Sequence, residues 1–82
     1  MDLTQKERDL LILLAEEWEK NGPPGYVETT IIADRLNISP LDAKSIIRSL
    51  FVKGIVDTDE VDTFAAYLTA EGYDLARKEA PN

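Results

Sequence analysis

Four acids, Asp57, Asp59, Glu60 and Asp62, form the densest group of chemically able side chains in the sequence. Carboxylates at this spacing can hold a hard cation. A calcium loop of the D-x-[DN]-x-[DN]-G type with a distal glutamate is the nearest pattern. Asp57 and Asp59 begin it, but Val61 stands where the third ligand should be and Asp62 where the glycine should be. No metal site is expected on that basis. Paired carboxylates can also work as acid and base, provided a cleft raises the pKa of one of them. A chain of 82 residues has room for one small core and no obvious cleft. Cysteine and histidine are both absent, so thiolate ligands, disulfides and the usual general base are excluded. No nucleophile–base pair can be assembled, and neither an enzyme nor a cofactor site is expected.

The second group is of opposite sign. Residues 39–53 hold three bases, Lys44, Arg48 and Lys53, against the single acid Asp42. Of the stretches 1–20, 21–38, 39–53, 54–68 and 69–82 it is the only one with a net positive charge, in a chain with 16 acids, 9 bases and a net charge of −7. From Gly54 to Ala76 there is no lysine or arginine. Lys44 and Arg48 lie one helical turn apart, and the acidic chain as a whole repels nucleic acid at long range.

Seven elements must position these groups. Thr4 and Glu7 have the spacing of a capping box, which starts a helix running to about Lys20. Leu3, Leu10, Leu11, Leu14, Ala15 and Trp18 share one face of it, whereas Ile12 falls near the back and Leu13 on a flank. Asn21-Gly22 and then Pro23-Pro24 end it. Tyr26-Val27 forms a short extended piece. Thr29 or Thr30 then caps a second helix to about Leu36, with Ile32, Ala33 and Leu36 inward. Asn37 suits a left-handed turn. Ser39 is a good N-cap, and Pro40 and Asp42 suit the first turn of a third helix that Gly54 stops. Ala43, Ile46, Ile47 and Leu50 form its inner stripe. Gly54–Thr58 and Thr63–Leu68 read as strands of a hairpin with Asp59–Asp62 as its loop. Thr69 caps a last helix from Ala70 to about Lys78, with Leu75 and Ala76 toward the core. Gly72 in its first turn points to a close backbone approach.

Two helices joined by a turn near Asn37-Ile38 and followed by a hairpin resemble the winged helix-turn-helix families, including small regulators of the MarR and PadR type. The resemblance spans about Thr4 to Lys78. It rests on IIADRLNISPLDAKSIIRSLFVKGIV, where Ala33, Ile38, Ala43, Ile46 and Leu50 fall at the family's core spacings, and on YLTAEGYDLA, which looks like the strand-to-helix exit after the wing. It implies an α+β, mainly α fold in one domain over 1–82: a three-helix core, a β-hairpin wing and a C-terminal helix.

The resemblance also implies a function, the binding of double-stranded DNA by a transcription regulator. Its recognition face would be Leu41, Lys44, Ser45, Arg48 and Ser49 on the third helix, with Ser39 at the helix start and Lys53 at its far end. Three bases imply a slope of log affinity against log salt of about −3 per chain. Three features depart from the pattern. Asp42 lies beside the reading surface. Leu41 and Val52 put apolar surface there, unless the hairpin covers Val52. The wing carries Asp57, Asp59, Glu60 and Asp62 instead of bases, and within about 8 Å of DNA these would oppose binding. The alternative is an acidic module that binds a protein partner or mimics DNA. Ile12 and Leu13, outside the main stripe of the first helix, are the expected surface of a homodimer. The longest apolar run, Leu10–Ala15, is too short to span a membrane, and the start MDLTQKERD has no apolar signal, so a cytoplasmic protein is expected.

Overall fold

Helix α1, Gln5–Asn21, begins at the expected cap. The Thr4 hydroxyl accepts from the Glu7 amide at 3.1 Å, and the Glu7 carboxylate accepts from the Thr4 amide at 2.8 Å. The computed structural model describes residues 2–23, 25–58 and 65–79. Strand β1, Val27–Glu28, leads directly into α2, Thr29–Leu36. That immediacy moves the cap of α2 to Glu28, which makes no side-chain cap bond, and places Thr29 in the first turn, buried. Neither threonine is therefore the cap. The extended piece likewise lies one residue later than the sequence suggests.

Asn37 takes the left-handed conformation, φ 59° and ψ 47°. The Ile38 and Asn37 amides donate to Ala33 O at 3.0 Å and Asp34 O at 3.2 Å, the paired bonds of a Schellman turn. Helix α3, Pro40–Val52, follows at once, with the Ser39 hydroxyl accepting from the Asp42 amide at 3.0 Å. Strands β2, Val56–Thr58, and β3, Ala65–Leu68, are antiparallel, and α4, Ala70–Glu79, closes the order. The expected hairpin loop, with Asp59, Glu60, Asp62 and the incomplete calcium pattern, lies outside the described residues.

The sheet has the order β1-β3-β2, so β3 is central, with Val27 opposite Ala66 and Val56 opposite Leu68. Helix α1 packs against α2, α3, α4 and β3. Leu10, Leu11 and Leu14 are fully buried among Ile32, Ile47, Leu50 and Val56. This four-sided packing corrects one expectation. Leu13 is only 7% exposed and belongs to the core, and Ile12 is half-buried. An apolar helix surrounded by neighbours buries its flank as well as its main stripe.

Helix α4 is seated by a backbone contact. A Cβ on Gly72 would lie 1.9 Å from Ile55 O, so only glycine fits there. Thr69 fixes the same corner. Its amide donates to Ile55 O at 3.1 Å, its hydroxyl lies 2.8 Å from Gly54 O, and that hydroxyl accepts from the Gly72 amide at 3.0 Å. Across the α1–α4 seam Trp18 stacks on Tyr73 with ring centroids 4.7 Å apart, and Arg8 pairs with Glu79 at 2.9 Å. Among the described residues no helix is long and apolar enough to cross a membrane.

Candidate nucleic-acid interface

Helix α3 buries Ala43, Ile47 and Leu50, with Ile46 half-buried beside them. At about 100° per residue, Leu41, Ser45, Arg48 and Val52 form one stripe on the opposite side, with Lys44 next to it. All four stripe residues are exposed, and Lys44 is half-buried. The helix start, Ser39-Pro40, is exposed as well, and Asp42 beside it is a solvated acid. Leu41 is 75% exposed and Val52 79%, so among the described residues nothing covers Val52, and the stripe is apolar at both ends. Phe51, on the flank beyond Lys44, is also exposed.

Ser49 and Lys53 do not share this stripe. They fall about 80° and about 120° round from Leu41, on the flank that meets α1. There the Ser49 hydroxyl donates to Glu7 Oε2 at 2.7 Å, and the Lys53 ammonium donates to the same oxygen at 3.1 Å. Two residues expected to face DNA are thus turned onto the protein, and Glu7, which in sequence looks only like a capping residue, is what holds them. Glu7 is 5% exposed and carries bonds at both carboxylate oxygens. Burial pushes its carboxyl pKa up. The Thr4 amide, the Ser49 hydroxyl and the Lys53 ammonium together outweigh that and hold it below the ordinary glutamate value. The partners lie 42 and 46 positions away, and no local pattern announces them.

The acidic side of the molecule is described only at Asp57. Its carboxylate accepts from the Thr58 amide at 2.8 Å and from the Tyr67 hydroxyl at 3.3 Å. Among the described residues no group of three or more acids could hold a metal ion. On α1, Ile12 and Leu13 line a shallow groove with Asp9, Glu16 and Arg35. With Leu13 in the core, the apolar surface expected there for a second copy narrows to Ile12.

A turn-linked helix pair, an exposed outer stripe on the second of them and a strand pair leading into a last helix have counterparts among solved structures. NadR in complex with 4-hydroxyphenylacetate superposes with a TM-score of 0.79 at 23% identity, over 95% of this chain and 53% of that one. ZitR of Lactococcus lactis gives 0.77 at 23%, over 96% and 49%. A MarR family protein of Mycobacterium tuberculosis gives 0.76 at 25%, over 94% and 51%. The chain has the winged-helix fold of the MarR-family regulators. No protein-family model and no curated protein matches the sequence. This winged helix spans about half the length of the solved proteins it matches. In the winged helix, α2 and α3 are the helix-turn-helix, and β2 and β3 are the roots of the wing.

Proposed function

We propose that this winged helix is a DNA-binding transcription regulator that reads the major groove with the outer stripe of α3. The observation that carries the reading is the exposure of Ser45 and Arg48 on one face of α3, with Lys44 beside it, in the net positive segment 39–53. Arg48 and Lys44 would meet phosphates or a guanine edge, Ser45 would hydrogen-bond either, and Leu41 would touch a thymine methyl. The exposed Ser39 would place the first amides of α3 near a phosphate. A basic patch is the expected footprint of such a domain, and here it is small. The wing, with Asp57 at its root, would stand away from the duplex. A homodimer would set two α3 helices on successive major grooves about 34 Å apart. The test is an NMR titration with short mixed-sequence duplex DNA at low salt. Amide shifts clustered at residues 39–48 that fade with added salt support the reading. Arg48→Glu should weaken binding by more than about tenfold. Absence of shifts at millimolar DNA would refute it, because DNA-binding domains keep a non-specific affinity of about 10⁻⁴–10⁻⁶ M.

One observation favours a second reading, an acidic module that docks on a protein. Leu41 and Val52 cap the stripe with apolar surface and Phe51 extends it, on a chain of net charge −7. Asp59→Lys with Asp62→Lys separates the two readings. It should strengthen DNA binding under the first and weaken partner binding under the second.

A further inference from the structure

The three bases of the positive segment are not equivalent. Lys44 and Arg48 make no ion pair among the described residues, whereas Lys53 is bonded to a buried carboxylate on another helix. We propose that Glu7 is a positioning residue that withholds Lys53 and Ser49 from DNA, so that Lys44 and Arg48 are the only cations α3 offers. The inference rests on the DNA-binding reading above and specifies the contact set of that same site.

Three features of the cluster support it. The first is hydrogen-bond chemistry. A serine hydroxyl has one hydrogen, and Ser49 gives it to Glu7 at 2.7 Å. What remains is acceptor capacity, which neither a phosphate oxygen nor a guanine O6 or N7 can use. The second is the relative worth of the two ion pairs open to Lys53. Glu7 is nearly sealed from water, and removing its cation leaves a buried charge undercompensated, which is costly. A phosphate contact at the rim of an interface is made in water and screened by salt. Lys53 therefore stays on Glu7 when DNA arrives. The third is direction. Lys53 leaves α3 about 120° round from Leu41, on the flank facing α1, so its position on the helix opposes a reach toward the stripe.

The same carboxylate serves both ends of the arrangement. Oε1 closes the capping box of α1 with the Thr4 amide, and Oε2 binds Ser49 and Lys53 near the end of α3. Glu7 thus ties the first turn of α1 to the last turns of the reading helix. Glutamine at this position keeps the capping box, because its carbonyl oxygen can still accept from Thr4. Its amide NH₂ would face Ser49, which can accept. It would also present a donor to the Lys53 ammonium, which cannot accept, and Lys53 would be released.

The experiment measures affinity for one short duplex as a function of salt, by fluorescence anisotropy, for the wild type, Glu7→Gln, Lys53→Met and the double variant. Each phosphate neutralised adds about −0.9 to the slope of log affinity against log salt. The expected slopes per chain are about −1.8 for the wild type, about −2.7 for Glu7→Gln, and about −1.8 for both Lys53→Met and the double variant. Between 50 and 200 mM salt the freed lysine makes the loss of affinity about 3.5-fold larger. A merely structural role for Glu7 would not steepen the slope, nor would removing Lys53 restore it. A wild type that binds, with Lys53→Met lowering its slope by about 0.9, overturns the inference and leaves the DNA-binding reading standing. Equal slopes for the wild type and a folded Glu7→Gln do the same. If Glu7→Gln does not fold, Lys53→Met on its own decides the question. If neither the wild type nor Glu7→Gln binds, the reading and the inference fall together. If only Glu7→Gln binds, the withholding stands and the wild-type reading falls.

Discussion

Replacing Gly72 with alanine tests how α4 is seated. The added Cβ would lie 1.9 Å from Ile55 O, and real Cβ atoms essentially never approach closer than 3.0 Å. The helix and the Ile55 backbone must therefore separate by at least 1.1 Å, the difference between those two distances. The obstructing atom is a backbone carbonyl, so no rotamer change can relieve the overlap. That carbonyl also accepts from the Thr69 amide, and the Thr69 hydroxyl sits 3.0 Å from it. Forced repacking in a filled interior costs about 1–3 kcal/mol. Loosening two hydrogen bonds adds about 1 kcal/mol each. Alanine returns about 1 kcal/mol through its better helix propensity. The net loss is about 2–4 kcal/mol, and in a domain of this size each kcal/mol lowers Tm by about 4–8 °C. Thermal unfolding followed by far-UV circular dichroism should therefore show Tm falling by at least about 8 °C. A rise in Tm, or a fall below about 3 °C, would falsify the close approach of α4 to Ile55.

Three further outcomes follow from the same packing. Glu7 has a lower carboxyl pKa folded than unfolded, so its stabilising contribution is complete above the ordinary glutamate pKa and is lost as pH falls through the folded value. Urea unfolding across the acid range should show this loss in the wild type and a flatter acid limb in Glu7→Gln. Leu13→Ala should cost about 2–5 kcal/mol in urea unfolding, as at a core position, and a near-zero change would return Leu13 to the surface. Asn37→Ala should cost about 1 kcal/mol through its left-handed backbone, and Asn37→Gly should restore most of that by the same measure.

The features legible in the sequence are those whose causes are local. The Thr4–Glu7 box, the Ser39-Pro40 start, the left-handed Asn37 and the Thr69 cap are each decided within a few residues, and each forms as its spacing implies. Gly72 was readable as a close approach because glycine inside a helix has a cost that something must repay, but only the fold reveals Ile55 O as the neighbour. The cap of α2 lies at Glu28 instead of Thr29 or Thr30 because β1 pairs with β3, a contact across nearly 40 positions that extends the chain up to Glu28. Leu13 is buried where its place off the main stripe predicts surface, because periodicity measures one face and α1 is packed on several. On α3 the stripe of Leu41, Ser45, Arg48 and Val52 followed from helical geometry. The fate of Ser49 and Lys53 did not, since it depends on a carboxylate from the other end of the chain.

Trp18 is the only tryptophan, and it lies face to face with Tyr73 across the seam between α1 and α4. The molecule therefore carries one indole, whose emission can be excited apart from that of its three tyrosines, placed on a helix pair that bears neither Lys44 nor Arg48. A ligand that merely touches the stripe of α3 should leave its emission unchanged. A spectral change on binding would instead mean that a displacement of α3 had crossed the layer of Leu14 and Leu50 to disturb the ring stack. The emission thus gauges the stiffness of the core: a silent tryptophan reports a rigid core, and a responsive one reports a core that transmits strain.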